Sequence, residues 1–406
     1  MKTEVNMMNA HNILSNGKSK EFIICDDELD FLAWQAAGHS QVFMLDDKLT
    51  NLSEEHSNFL ASRDRLFVNI RKRSVGMEFI RRFGRSRLYK INTAITISDL
   101  LKDNKTDEIA NALVNAKGFP LEGIVTVDDL KTELKSTHKS GFCHPFVTGI
   151  KPLDRLWKPA LGHVTVITGV PSHGKSSFVK QLSVNLAALH DWHFASFSPE
   201  DTPIVRGVWD VLQIYMGKER EKISEAERDK AAAWADSHFA WITTDAETTL
   251  NAILNYARQL IIRHGTKGVI IDPWNQVEHR KPRGANDVDY LGECLRLVTD
   301  FAKEHQVHVF IVAHPVKMER TKNGKIKPPT LYDINGGAMW YNKVDNGLTV
   351  WRDVTGAERL LVKIFIGKVR FRECGRAGDH VELIFKPSGE MVAADTTATP
   401  IVENSF

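Results

Sequence analysis

The stretch Gly169-Val170-Pro171-Ser172-His173-Gly174-Lys175-Ser176 constrains this chain more than any other, because it reads G-x-x-x-x-G-K-S. Two glycines at that spacing let the backbone wrap an anion with its N–H groups, and a helix starting at the lysine adds a favourable dipole. The flanks meet the requirement. Residues 163–168 are a β-branched apolar run, expected to be a buried strand, and Phe178, Val179, Leu182, Leu186 and Leu189 then recur at helical spacing. Strand, loop and helix in this order predict a nucleoside triphosphate site. Gly169, Gly174, Lys175, Ser176 and Ser177 would hold the phosphates, with Lys175 reaching β and γ and the Ser176 hydroxyl on Mg2+.

Length and charge set the remaining bounds. With 406 residues there is room for two domains. Lys+Arg 53 against Asp+Glu 51 gives +2, so any nucleic-acid surface has to come from local clusters. No apolar run approaches the roughly 18 residues of a membrane helix, and the polar start of the chain has no signal-peptide pattern. Cys25, Cys143, Cys294 and Cys374 are far apart and form no C-x-x-C pair, which leads us to expect reduced thiols in a cytoplasm-like compartment and no structural zinc.

Residues 1–118 alternate strand-like runs (21–25, 41–45, 66–70, 88–91) with helix-like ones (31–38, 77–83), the pattern of a small α/β domain with a parallel sheet. Asp26-Asp27-Glu28-Leu29-Asp30 follows the first strand. This placement resembles the Toprim domain of primases and topoisomerases, whose E-G-E-x-D strand end is followed by a D-x-D-x-x-G turn. Here Asp26 replaces the leading glutamate, and Arg71, Lys72 and Arg73 stand before Gly76 where the second acidic motif belongs. Cations there would repel Mg2+, so the resemblance implies a Toprim-like fold with a dead metal site. Arg71, Lys72, Arg73, Arg81, Arg82, Arg85 and Arg87 form a basic segment, either a solvated face or a phosphate-contacting patch.

A linker is expected over 119–147, with a helix over 126–136 capped by Thr126 or Asp128. From 148 to 406, strands are expected at 193–198, 239–243, 268–272, 307–313, 347–351, 360–367 and 381–385, and helices at 204–216, 248–264 and 290–303. Alternating elements of this kind make an α/β domain with a mostly parallel sheet, and ligands bind at the carboxyl ends of its strands. Three candidates fall at such ends. Asp272 closes the Walker B pattern Gly268-Val269-Ile270-Ile271-Asp272 and would hold Mg2+. Glu200, expected on the strand beside the P-loop strand, would activate water. His314 would sense the γ-phosphate.

Phe197-Ser198-Pro199-Glu200, the run from Ile271 to His279 and Ala313-His314-Pro315-Val316-Lys317 together resemble the RecA-type motor of DnaB-family replicative helicases. The run from Asp333 to Gly347 is similar to the Twinkle-like branch, the mitochondrial and phage primase–helicases. The resemblance implies ATP and Mg2+ as cofactors, Glu200 as catalytic base, Asp272 as metal acid, and His314 coupling nucleotide state to DNA. Lys368-Val369-Arg370 matches the family's K-x-R pair, implying an arginine finger at Arg370, with Lys368 beside it, reaching a neighbour's ATP site. That in turn implies a hexameric or heptameric ring stapled by the linker helix. Single-stranded DNA and forked duplex would be its substrates, and primase, polymerase or single-strand-binding protein its partners, in a bacterial or phage-infected cell. Lys317, Arg320, Lys322, Lys325 and Lys327, leading to Gly336-Gly337, would track DNA phosphates. Primer-making relatives carry a zinc module and an intact Toprim acid set, so priming activity is not expected here. The competing readings are a RecA-type recombination or repair ATPase and a DNA-binding loader that uses ATP to set its oligomeric state.

Overall fold

Every residue of the strand Val164–Thr168 is buried, the signature of a strand covered on both faces. Its side chains go alternately to two cores. Val164 and Val166 join one that includes Phe197, Ile271 and Leu295, while Ile167 joins another with Phe178, Phe194 and Phe310. A computed structural model of the chain describes residues 18–46, 49, 52–121, 123–243, 245, 247–284, 286–316, 318, 326–354 and 359–394. It divides into two units, Met1–Ser136 and Thr137–Phe406.

In the first unit the strands are β1 (Glu21–Cys25), β2 (Val42–Met44), β3 (Arg65–Asn69), β4 (Leu88–Lys90) and β5 (Lys117–Gly118), in the order β2-β1-β3-β4-β5. The first four pair in parallel and β5 closes the edge antiparallel. Parallel pairing needs crossovers, supplied by helices Glu28–Ala36 and Arg73–Phe83 among others. Helix Thr106–Val114 stops short of 118, where Lys117 and Gly118 are drawn into pairing with Lys90 and Tyr89.

The helix expected at 126–136 is Lys131–Ser140 instead. The Asp129 carboxylate accepts from the Thr126 N–H at 2.8 Å and from its hydroxyl at 2.7 Å, so Thr126 to Leu130 form a turn that delays the helix. None of the helix's residues is buried within the chain.

The second unit carries a nine-stranded sheet built from β6 (Val164–Thr168), β7 (Phe194–Phe197), β8 (Phe239–Trp241), β9 (Gly268–Ile271), β10 (His308–Val312), β11 (Asn346–Arg352), β12 (Leu361–Val369), β13 (His380–Phe385) and β14 (Met391–Ala393). The order is β14-β13-β12-β11-β6-β10-β9-β7-β8. From β11 to β8 all pairings are parallel, and from β11 to β14 they are antiparallel hairpins. This is the expected α/β architecture with a mostly parallel sheet. One placement differs: Glu200 follows β7, which is not beside the P-loop strand, because β10 and β9 lie between them. Strand order follows crossovers of whole helices, which local sequence does not encode.

Candidate functional site: a phosphate loop ringed by strand-tip side chains

β6 ends at Thr168 and the chain turns at once through the P-loop into helix Lys175–His190. Gly169 sits at φ 149°, and a Cβ there would come within 2.1 Å of the Val350 carbonyl oxygen, so no side chain fits. Gly174, at φ 97°, is the left-handed residue from which the helix starts. The loop is braced from β11, where the Arg352 N–H donates to His173 Nδ1 at 3.0 Å and Arg352 Nη2 to the Ser172 carbonyl at 2.9 Å. Burial, with help from Arg352 and Lys175, holds the His173 pKa down to about 4, which leaves Nδ1 free to accept.

The strand tips bring the predicted polar residues together. Lys175 is buried and donates to the Gly169 and Val170 carbonyls at 2.9 and 3.1 Å, folded back on its own loop. Burial lowers its pKa to about 8, opposed by the charges of Asp272 and Glu200. Asp272 follows β9 and is 6% exposed. Burial pushes its carboxyl up to about 6 against a hydrogen bond from the Ser176 hydroxyl and the charge of Lys180, while Asp201 and Glu200 push it further up. Glu200 is exposed in the turn after β7. His314 follows β10; burial and Lys175 lower its pKa, Glu200 opposes, and its Nδ1 is buried without a hydrogen-bond partner. Lys175, Glu200, Asp272 and His314 therefore share one electrostatic neighbourhood at the carboxyl ends of four strands adjacent in the sheet. An oxygen-rich pair, the Ser176 hydroxyl and the Asp272 carboxylate, is the donor set that a hard cation such as Mg2+ prefers.

His314 also faces a cavity of ≈ 630 Å3 lined by Trp274, Asn275, Tyr290, Gly336 and Trp340 among others. Next to it, the excursion from β10 is pinned at its base by the bridge of Pro315 with Ile334 and by the Val316 N–H donating to the Asp333 carbonyl at 2.8 Å. Of the basic residues expected to line this excursion, Lys317, Arg320, Lys322 and Lys325 lie outside the described residues. Lys327 is exposed, between the Ile326 carbonyl, which accepts from Trp351 Nε1, and the Pro329 carbonyl, which accepts from Thr349. Gly336 and Gly337 have a packing reason to be glycine. A Cβ on Gly337 would sit 2.2 Å from the Tyr332 carbonyl oxygen, and one on Gly336 2.5 Å from Leu291.

Lys368 and Arg370 lie elsewhere. Lys368 is opposite Gly347 and Val369 opposite Asn346, which in turn pair with Val166 and Thr165 of β6. Lys368 is thus level with the middle of β6, roughly 10 Å along the strand from Gly169 at 3.3 Å per residue. Arg370, whose N–H donates to the Asp345 carbonyl beside Val164, is level with the amino end of β6, roughly 15 Å away at the same rise. Arg370 donates to Asp345 at 3.1 Å and to the Asn342 carbonyl at 2.6 Å. Lys368 donates to the Tyr341 carbonyl, and burial beside Arg370 lowers its pKa to about 8, with Asp345 opposing.

Two features escaped the sequence reading. Arg352 contacts the P-loop from β11, and only three-dimensional pairing brings it there. The exposed basic loop Arg280-Lys281-Pro282-Arg283 follows the Walker B strand; its R-K-P-R-G composition was the available signal. Arg280 pairs with Glu278 and Glu247, and Lys281 with Asp287.

In the first unit the acidic cluster is already occupied. Asp26 accepts from the backbone N–H groups of Arg71 and Lys72 at 3.0 and 2.8 Å. Asp30, fully buried, accepts from the Arg71 guanidinium, from Asn69 at 3.2 Å and from the Ser98 N–H at 3.0 Å. Among the other basic residues there, Arg81 pairs with Glu78, Arg82 donates to Ser57, and Arg85 and Arg87 donate to backbone carbonyls.

Comparison with known proteins agrees with this geometry. The DnaB-like helicase C-terminal domain matches residues 146–388. The Twinkle homologue protein, chloroplastic/mitochondrial, of Arabidopsis thaliana is 26% identical over 427 positions, covering 94% of this chain and 59% of that protein, so the chain spans well under two thirds of its relative's length. A solved structure of an ATPase domain superposes with a TM-score of 0.54 at 19% identity, over 67% of this chain and 100% of that one. A DnaB-like replicative helicase studied for its interactions with primase gives 0.54 at 18%, over 85% of each chain. The fold is thus the RecA-like fold of DnaB ATPase domains, and with more than half of its length matched by one domain, the chain belongs to the DnaB-like helicase family.

Proposed function

We propose that this protein is an ATP-driven replicative DNA helicase that moves along single-stranded DNA as a ring, without priming activity. The observation that carries the reading is the separation of Lys368 and Arg370 from their own P-loop, with Arg370 level with the far end of the P-loop strand. A cation there cannot serve its own nucleotide, but in a ring it can serve a neighbour's. ATP would lie over the P-loop, its phosphates cradled by Gly169 to Ser177, and Ser176 and Asp272 would hold Mg2+, whose charge offsets that of the phosphate oxygens. Lys175 would leave its loop carbonyls for the β- and γ-phosphates. Glu200 would orient and deprotonate the attacking water, and Arg370 of the adjacent subunit would stabilise the transferred charge, with Lys368 beside it. His314 fits a sensor because its free Nδ1 adjoins both the nucleotide neighbourhood and the cavity. The loops at 279–283 and 315–334, with Lys317, Arg320, Lys322, Lys325, Lys327, Gly336 and Gly337, would track the DNA backbone.

Helix Lys131–Ser140, with no buried residue of its own, would dock on the next subunit, making 119–147 a connector between a Toprim-like domain (1–118) and the motor (148–406). Occupation of Asp26 and Asp30 by protein donors, Arg71 above all, supports a Toprim-like domain that does not hold metal. Among the described residues no helix is long and apolar enough to cross a membrane. Four free thiols suit a reducing bacterial or phage-infected cytoplasm. The test is unwinding of a forked duplex with ATP and Mg2+. Wild type is expected to separate the strands and to hydrolyse ATP faster when single-stranded DNA is added, and Lys175→Ala to do neither. Turnover indifferent to DNA would contradict the motor reading.

A further inference from the structure

Lys180 is an interior cation whose charge favours the ionised Asp272 but which makes none of the P-loop's own contacts. It lies on helix Lys175–His190, and its side chain is 13% exposed. Its ammonium donates to Asp201 at 2.8 Å and to Asp210 at 2.7 Å. Asp201 belongs to the turn after β7 and Asp210 to helix Val205–Met216, so one nitrogen ties together three elements. The turn is stiff in its own right, with the Asp201 N–H donating to the Ser198 carbonyl at 3.0 Å and the Thr202 hydroxyl to the Pro199 carbonyl at 2.8 Å. It is also clamped from outside, since a Cβ on Gly207 would lie 2.8 Å from the Asp201 carboxylate. Burial works against the Lys180 ammonium, yet Asp201 and Asp210 outweigh it and raise its pKa, which favours the charged form.

The residue preceding Asp201 is Glu200, exposed and otherwise without a hydrogen-bond partner among the described contacts. Its carboxylate has a long, flexible side chain, so the backbone beneath it decides where it can reach. We propose that Lys180 is a positioning residue for hydrolysis: by fixing Asp201 to the P-loop helix, it sets Glu200 at the height from which it meets the γ-phosphate's attacking water. The P-loop and the water-activating turn are then one rigid body, although their strands are separated in the sheet by β9 and β10. Misplacement of a catalytic group by an ångström costs rate and not affinity, which gives this role its signature.

The inference rests on Glu200 as the water activator, and a double-mutant cycle separates the two claims. ATP turnover on single-stranded DNA is measured for wild type, Lys180→Met, Glu200→Gln and the double variant, with Lys180→Arg as the conservative replacement. Lys180→Met is expected to lower kcat about 10- to 30-fold with KM for ATP changed less than about twofold, and Lys180→Arg to restore about half of the loss. In the Glu200→Gln background, Lys180→Met should cost less than about twofold more, because the group it positions is gone. An equal loss in both backgrounds, or a rise in KM at unchanged kcat, overturns the proposal. Full turnover by Glu200→Gln alone overturns the water-activator reading instead. Should Lys180→Met not fold, Asp210→Asn removes only the exposed partner. It is then expected to lower kcat about threefold in the wild-type background and not in Glu200→Gln; an equal loss in both overturns the proposal here too.

Discussion

The chain carries two clusters of carboxylates beyond strand ends of mostly parallel sheets, and they have opposite fates. In the first unit Asp26 and Asp30 are buried and saturated: two backbone N–H groups hold one, and Arg71, Asn69 and Ser98 hold the other. In the second unit Asp272 is equally buried but underserved, and burial raises its pKa to about 6. Its neighbour Glu200 points into solvent, and Lys175 is spent on its own loop carbonyls. A carboxylate satisfied by its own chain is a structural part; one kept short of partners is poised for a ligand. On the function proposed above, the same residue type serves stability in one unit and chemistry in the other.

Breaking the second cluster should give the largest effect. Lys175→Ala is expected to reduce ATP turnover by about 10^3-fold or more while leaving far-ultraviolet circular dichroism unchanged, since the phosphate charge loses its main counterion. Asp272→Asn should cost about 10^2- to 10^3-fold in turnover. Because the ionised carboxyl is held unfavourably, with its folded pKa above the unfolded one, removing the charge should leave the melting temperature of the second unit unchanged or higher. Asp30→Asn is the mirror case. It should destabilise the first unit by about 2–4 kcal/mol, read by denaturant titration of that unit's transition, without changing ATP turnover of the folded protein. A melting-temperature loss for Asp272→Asn as large as that for Asp30→Asn would erase the contrast.

A smaller effect is expected from acid. His308 is fully buried, with Nδ1 donating to the Ala160 carbonyl at 2.7 Å and Nε2 accepting from Thr165 at 2.9 Å, and burial lowers its pKa to about 3. A histidine whose folded pKa is depressed stabilises above its unfolded pKa and loses that contribution as pH falls from there towards the folded value. At pH 5 the loss is about 2 kcal/mol, from protonation of the unfolded chain alone near 6.5. His308→Asn should therefore be less stable at pH 7.5 and show a shallower fall between pH 7 and 5 in thermal melts.

Much of the second unit was legible because its signals are local. The P-loop glycines, the apolar run ending at Asp272 and the strand ending at His314 each announce themselves within ten residues, and the structure brings all three to one end of the sheet. What failed was non-local or compensated. The position of β7 depends on where helices Leu250–His264 and Asp287–His305 carry the chain, so the strand before Glu200 lies two strands further from the P-loop strand than local sequence suggests. Arg352 became visible only once β11 paired with β6. The linker helix began late because Asp129 satisfied Thr126 first. Helix Glu225–His238 was overlooked although Ser224 and Glu227 form a capping box, a local signal that marks its start. In the first unit the cation run at 71–73 was readable as hostile to metal, but not the finding that the Arg71 guanidinium itself occupies Asp30.

The central claim is that each nucleotide site is shared between two subunits, and mixing two dead proteins tests it. Lys175→Ala keeps Arg370, and Arg370→Ala keeps Lys175; neither alone should hydrolyse ATP at more than about 10^-3 of the wild-type rate. Assembled together at equal concentration, by co-expression with separate tags, they should regain turnover. About a quarter of the sites in a randomly mixed ring pair an intact Lys175 with a neighbour's intact Arg370. Recovery approaching that fraction of wild-type activity is the predicted result. A mixed assembly no more active than its components would place Arg370 in its own subunit's chemistry or in none, and would contradict the account.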